Sequence, residues 1–197
     1  MSVRWWAFPL LLVFLLVAAG SLVLGFAAVV IYPTLPTLDV LTDYQPKIPL
    51  RIYSADGQLI GEFGEERRAV VSLDQVPKNL VNAIVAAEDE RFYEHGGVDY
   101  VGVARAALSN FASGGVRQGA STITMQVARN FFLTKEKTLT RKFNEMLLAF
   151  KIESSLSKQQ ILELYINQIY LGQRAYGFAA AAQIYYGKPL AQLTLAE

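Results

Sequence analysis

From Trp5 to Leu38 the chain carries no charged side chain, and its apolar heart, Trp5 to Ile31, runs for 27 positions. About 20 apolar residues in a helix cross the hydrocarbon core of a bilayer. The segment therefore reads as a transmembrane anchor. Trp5 and Trp6 at one end and Tyr32 at the other fit an interfacial aromatic belt, and Arg4 ahead of it favours an N-terminus in the cytoplasm. A cleaved signal peptide is the alternative, but its apolar region is about 7–15 residues long. The length favours an uncleaved anchor, and either reading exports the remainder.

Four of the seven prolines, Pro33, Pro36, Pro46 and Pro49, fall in residues 33–49. Proline ends helices and stiffens extended chain, so this stretch reads as a stalk. The expected organisation is residues 1–32 as cytoplasmic N-terminus and anchor, 33–49 as stalk, and 50–197 as one catalytic domain, long enough for a real core. Past the anchor the chain carries 17 basic and 17 acidic side chains. That balance excludes nucleic-acid binding by bulk charge. With no Cys and a single His, His95, disulfide scaffolds, iron–sulfur sites and multi-His metal cages are excluded as well.

Residues 50–73 read as three strands, LRIYS, QLIGEF and AVVSL, with Asp56-Gly57 as a hairpin turn between the first two. The pattern then turns helical. Asp74 is the expected N-cap of a first helix, with Pro77 in its first turn. Further helices are expected from Asp99 to Gly114-Gly115, from Ser121, over 140–153, from a capping box of Ser157 and Gln160, and over 176–186. LAQLTLAE at 190–197 reads as the start of another helix. The fold class is mainly α with a small β-hairpin element.

Three constellations could carry chemistry. In AAEDERFYEHGGVD, Glu88 follows Val81 by seven and Ile84 by four residues, which places it on the apolar helical stripe. A carboxylate facing an apolar interior loses solvation and becomes suited to proton transfer. Asp89 and Glu90 read as helix-surface residues, and the blander reading of EDER is a run of surface charge. In GASTITMQVARN, Gly119 allows a close approach and Ser121 caps a helix. Thr122, Gln126 and Arg129 share one helix face, a ready phosphate site; an ordinary capped helix is the alternative. In RKFNE, Arg141, Lys142 and Glu145 lie opposite the Phe143 stripe, either as an intrahelical salt bridge or as a cationic grip for a diphosphate. Ser155-Leu156-Ser157-Lys158 matches an SxxK nucleophile pattern, but Ser157 is better used as a cap. His95, in a Gly-flanked loop, reads as structural.

Taken in order, these motifs resemble the family 51 glycosyltransferases, the peptidoglycan polymerases. The carrying segments are Glu88–Gly97, Gly119–Gln126, Arg141–Glu145, Lys158–Asn167, Arg174–Gly177 and Tyr185–Lys188. With the anchor and the IYSADGQLIGEFGEERR hairpin, the closest likeness is to class A penicillin-binding proteins of the 1a type. The resemblance implies a lysozyme-like helical domain that polymerises lipid II into β-1,4-linked glycan, displacing undecaprenyl pyrophosphate with inversion. It implies Glu88 as general base and Glu145 as a second catalytic carboxylate. Ser121, Thr122, Gln126, Arg129, Lys137, Arg141 and Lys142 become donor-pyrophosphate residues, and His95, Asn167 and Arg174 shape the site.

The sequence itself calls for no cofactor and shows no dedicated ligand cage, and the resemblance is compatible with a divalent cation, Mg or Mn, at the pyrophosphate. The expected partners are lipid II, undecaprenyl-pyrophosphate-linked glycan, the membrane and other cell-wall synthesis proteins, with no nucleic acid. The expected location is the bacterial inner membrane, single-pass, with the catalytic part on the periplasmic face. Two departures stand out: no transpeptidase domain follows, so no β-lactam acylation is expected, and the domain stops early, as a C-terminally truncated piece. A catalytically silent lipid II-binding fragment and a lysozyme-like glycan-cleaving enzyme are the alternatives. Residues 109–119 read as a mobile flap with Phe111 in lipid.

Overall fold

The computed structural model describes residues 7–43, 49–115, 119–133 and 138–197. The chain divides into two compact units, Met1–Pro36 and Thr37–Glu197.

The first unit is one helix, α1 (Ala7–Ile31), followed by a 3₁₀ turn at Tyr32–Thr34. It is apolar on every side and exposed along its length. A span of 27 residues from Phe8 to Thr34 is long and apolar enough to cross a membrane.

The second unit opens with a single short helical turn, α2 (Asp39–Thr42). Strands β1 (Leu50–Tyr53) and β2 (Leu59–Phe63) pair antiparallel, Leu50 opposite Phe63. The turn is the expected one: Gly57 takes φ +84°, and the Ser54 hydroxyl accepts from the Gln58 N–H at 3.0 Å. The third expected strand, AVVSL, does not form. Instead β3 (Arg67–Arg68) pairs in parallel with β4 (Ala175–Tyr176), so this segment is bound to the far end of the domain. Asn167 completes the seam. Its amide accepts from Val71 N–H at 2.9 Å and donates to the Val71 carbonyl at 2.8 Å. These bonds take up the backbone groups that a third hairpin strand would have used.

Six further helices follow: α3 (Lys78–Glu88), α4 (Tyr100–Ser113), α5 (Ile123–Phe132), α6 (Leu139–Ser155), α7 (Lys158–Gln168) and α8 (Phe178–Tyr186). Their caps follow the side-chain logic read from the sequence at Asp99, which accepts from Gly102 N–H, and at Ser157 with Gln160. The start of α3 differs. Ser72 and Gln75 form the capping box, around a 3₁₀ turn at Leu73–Gln75, and Pro77 directly precedes the helix. Asp74 lies inside that turn rather than capping α3. The tail at 190–197 forms only a 3₁₀ turn, Leu190–Gln192.

The core is built around α5. Thr122 and the next six residues, Ile123 to Ala128, are all buried. Leu148, Ala149 and Ile152 of α6 and Ile161, Leu162 and Ile166 of α7 supply the buried apolar surface around it. The fold is mainly helical with small β elements, as the sequence predicted.

Candidate active site

Where α3 ends, the chain reverses an expectation. Glu88 is the last helical residue and is exposed, whereas Asp89 is buried. The desolvation argued for Glu88 from its place on the stripe does not occur. The physical reason is the break at the helix end: Asp89 adopts φ −161°, which turns its own carboxylate inward. There it accepts from the Ile123 backbone N–H at 3.0 Å and from His95 Nε2 at 2.9 Å. Gly97 N–H donates to His95 Nδ1 at 3.2 Å, which fixes the ring proton on Nε2. The Thr122 hydroxyl donates to the Gly97 carbonyl at 2.6 Å and accepts from Met125 N–H at 3.1 Å. These bonds latch the end of α3 to the start of α5. Asp89 is no surface residue, and the hydroxyl of Thr122, expected to face a phosphate, is consumed inside this latch.

The latch holds Glu88 at the rim of a polar cleft of about 320 Å³ that Glu90, Arg105 and Ser121 also line. The buried Gln126 amide crosses from α5 and donates to Glu88 Oε2 at 2.8 Å. One carboxylate oxygen is thereby fixed, leaving Oε1 for other partners. Gln126, expected on a phosphate, is instead on Glu88.

Ser121 connects this cleft to the RKFNE motif. Lys142 Nζ donates to the Ser121 hydroxyl at 2.7 Å and to Glu145 Oε2 at 3.0 Å, and Arg141 Nη1 lies 3.5 Å from Glu145 Oε1. Glu145 is only 1% exposed. It is therefore not opposite the Phe143 stripe, as the spacing suggested, but more deeply buried than Phe143 itself. Among the described residues its Oε1 makes no hydrogen bond. A buried carboxylate with two cations beside it holds them in place by charge. Lys142 stays partly open to solvent, and Arg141 is more enclosed.

The other expected site residues fall elsewhere. Arg129 lies one turn beyond Gln126 and opens into a separate cavity. Lys137 lies outside the described residues. His95 stands behind Asp89, Asn167 stitches the Val71 seam, and Arg174 donates to the Gly64 carbonyl at 3.1 Å. Gly119 has nothing within 4 Å of where a Cβ would stand, so no close approach requires it. Of the expected flap, residues 109–113 are the last turns of α4, closed by Gly114 at φ +64°, and 116–118 lie outside the described residues. Phe111 is 90% exposed. Among the described residues no three His, Cys, Asp or Glu side chains group to hold a metal ion.

Tyr165 was given no site role from sequence. It is buried on α7, and burial, reinforced by the Glu88 charge and opposed by Arg129, pushes its phenol well above the usual tyrosine range. It stays a neutral hydroxyl that feels both charges. Its sequence signals are a place on the apolar stripe of α7, which speaks of packing, and membership of the Lys158–Asn167 segment that carries the resemblance.

The family model described as Transglycosylase matches residues 56–197. The chain belongs to the transglycosylase family. This is the relationship that the ordered motifs implied. The chain is 62% identical over 186 residues to penicillin-binding protein 1A of Neisseria meningitidis serogroup B, covering 94% of this chain and 23% of that protein. It is 54% identical over 189 residues to penicillin-binding protein 1A of Escherichia coli K12, covering 93% and 22%. A crystal structure of penicillin-binding protein 1A from Haemophilus influenzae matches 78% of this chain and 13% of that one at 29% identity, with a TM-score of 0.32. This transglycosylase chain thus spans less than a quarter of the length of the curated relatives it matches.

Proposed function

We propose that this chain is a peptidoglycan glycosyltransferase that polymerises lipid II, with Glu88 as the base. One observation carries the reading beyond family membership: Glu88, oriented by Gln126, shares a cleft with Ser121, whose hydroxyl is held by Lys142 of the Arg141–Lys142–Glu145 cluster. The base thus shares its cleft with a hydroxyl that the cationic cluster holds from outside.

The chemistry needs both. The 4-hydroxyl oxygen of the acceptor GlcNAc attacks C1 of the donor MurNAc. The C1–oxygen bond to the pyrophosphate breaks on the opposite face, and the new β-1,4 bond forms with inversion. The hydroxyl proton passes to Glu88, and the departing pyrophosphate carries the electron pair into the field of Lys142 and Arg141. A positioned base contributes about 10²–10⁴ in rate, and fixed cations where charge develops contribute comparably. Glu145 keeps those cations in register. A cation cluster beside the base favours transfer over cleavage of finished glycan, which has no pyrophosphate leaving group.

In the same reading α1 spans the bacterial inner membrane once, and residues 50–197 work on its outer face, where a lipid-carried substrate presents its head group. The exposed Phe111 and Leu108 of α4 suit contact with lipid.

The test is polymerisation of lipid II by the detergent-solubilised chain, run beside Glu88→Gln and with moenomycin, a phosphoglycolipid inhibitor of this family. The expected result is polymer from wild type, a fall of about 10²–10⁴ in Glu88→Gln and inhibition by moenomycin. A Glu88→Gln chain as active as wild type would remove Glu88 as base. Binding of lipid II without polymer would favour the silent, substrate-binding fragment.

A further inference from the structure

The lysine of the SxxK pattern has no part in the reaction as written above, and the serines beside it are engaged elsewhere. Ser155 donates its hydroxyl to the Lys151 carbonyl at 3.1 Å, and Ser157 Oγ is held in the cap of α7 with Gln160. Lys158, the first residue of α7, turns inward. Its Nζ donates to Glu153 Oε1 of α6 at 2.6 Å and stands 4.4 Å from the centre of the Phe92 ring. The Lys158 and Glu153 side chains are only 18% and 11% exposed. Charges so withdrawn from water lose much of their hydration, and apolar residues of the same size often serve stability as well or better. Stability alone is therefore a poor reason for this pair.

Both contacts of Lys158 land on the segments that the latch joins. Phe92 is fully buried and belongs to the turn that carries Asp89: its backbone N–H donates to the Asp89 carbonyl at 2.9 Å. Its ring meets that of His95 edge-on, with centroids 6.4 Å apart. A cation over an aromatic face is held more strongly when it is desolvated, so Lys158 braces the Asp89–His95 side of the latch. The other side is reached through Glu153. Its Oε1 also accepts from the hydroxyl of Thr124 at 2.6 Å, and Thr124 is buried in the first turn of α5, two residues after Thr122. The Glu153 stem backs the loop as well, since a Cβ at Gly97 would stand 3.2 Å from its Cγ.

Lys158, Glu153 and Phe92 do not line the cleft, so they act on it through what they hold. Glu88 directly precedes Asp89, and Gln126, which donates to Glu88 Oε2, lies two residues beyond Thr124. Resting on the transferase reading, we propose that Lys158 is a positioning residue for the reaction: with Glu153 and Phe92 it clamps the two sides of the latch together, so that Glu88 and Gln126 meet in one orientation. An apolar side chain would fill the same space without fixing a direction. A clamp that slips displaces the base, and a misplacement of about 1 Å costs about 10² in rate.

The single histidine of the chain makes the clamp visible. The experiment records the imidazole nitrogen resonances of the isotope-labelled full chain in detergent, beside kcat and KM for lipid II polymerisation. Wild type should show one His95 tautomer, protonated at Nε2. Lys158→Met keeps the length and apolar body of the side chain and removes the charge. His95, no longer braced through Phe92, should then exchange between tautomers. The variant's kcat should fall about 10–10²-fold with KM unchanged, because Lys158 touches no substrate. Lys158→Arg, which keeps a cation on the ring face, should retain the wild-type spectrum and most of kcat.

A Lys158→Met chain with the wild-type spectrum, or with wild-type kcat at a temperature where it stays folded, overturns the proposal even if its unfolding midpoint drops; the pair would then be structural alone. A raised KM with kcat kept overturns it too, as do equal losses in Lys158→Met and Lys158→Arg. Where circular dichroism shows that Lys158→Met does not fold, Phe92→Leu takes its place. It leaves the ion pair intact and removes only the ring face, it carries the same expectation, and a wild-type spectrum there overturns the proposal. Polymerisation by the wild-type chain judges the transferase reading separately. With no polymer from wild type that reading falls, while the spectra still decide whether Lys158 holds the latch.

Discussion

At the scale of single residues, adjacent carboxylates have opposite fates. Glu88 stays in the cleft, while Asp89 is spent inside, where it accepts from both His95 and the Ile123 N–H. Asp89→Asn keeps the shape but turns one acceptor oxygen into a donor, leaving His95 Nε2–H or Ile123 N–H unmet. The expected cost is about 1–3 kcal/mol, read by thermal or denaturant unfolding. Turnover should fall with it, because Glu88 is the residue directly before Asp89. Adding Asp89→Asn to Glu88→Gln should then cost little further turnover. Tyr165 carries a pH signature. Its folded pKa lies above the ordinary 10.0, so the fold favours the neutral phenol. That contribution is whole below the unfolded value and is lost as pH climbs past it. The stability difference between wild type and Tyr165→Phe should be constant near neutrality and shift against wild type above about pH 10, followed by unfolding at stepped pH.

At the scale of elements, two glycines side by side separate space from conformation. Gly97 takes φ +100°, and a Cβ there would stand 2.9 Å from the Ala149 carbonyl oxygen of α6; Gly96 has nothing within 4 Å. Gly97→Ala should destabilise by about 1–3 kcal/mol or more and Gly96→Ala far less, both read from unfolding midpoints. The contrast also marks what the sequence could and could not disclose. Helices with local signals were legible: Ser157 with Gln160, Asp99 with Gly102, and Asp56-Gly57 in the hairpin are decided by neighbours within a few residues. Long-range pairing was not. Arg67–Arg68 find their strand partner at Ala175–Tyr176, and no periodicity near residue 68 carries that information. The inward turn of Asp89 escaped for a related reason: helical spacing describes Glu88 only while the helix continues, and it ends there. The cleft residues could be named because their motifs are ordered, but which of them touch each other depended on how α3 meets α5.

At the scale of the whole molecule, the apolar first unit and the neutral second unit set the behaviour in solution. With 27 residues of spanning length at Phe8–Thr34, the chain should pellet with membranes and resist alkaline carbonate, whereas a variant lacking residues 1–32 should be released; recovery of the full chain in the soluble fraction would count against a spanning α1. The second unit has an unusual centre. An ordinary surface helix buries one stripe, but from Thr122 to Ala128 seven consecutive side chains are enclosed, and Gln126 is one of them. In a close-packed interior even a methylene added or removed is felt. For an inhibitor designed against this cleft, that centre is a wall with few escape routes. A change at Gln126 that evicts the compound must also fit a space with no slack and still hold Glu88. Resistance should therefore arise at the half-open rim, around Arg105 or Ser121, and seldom along the enclosed helix.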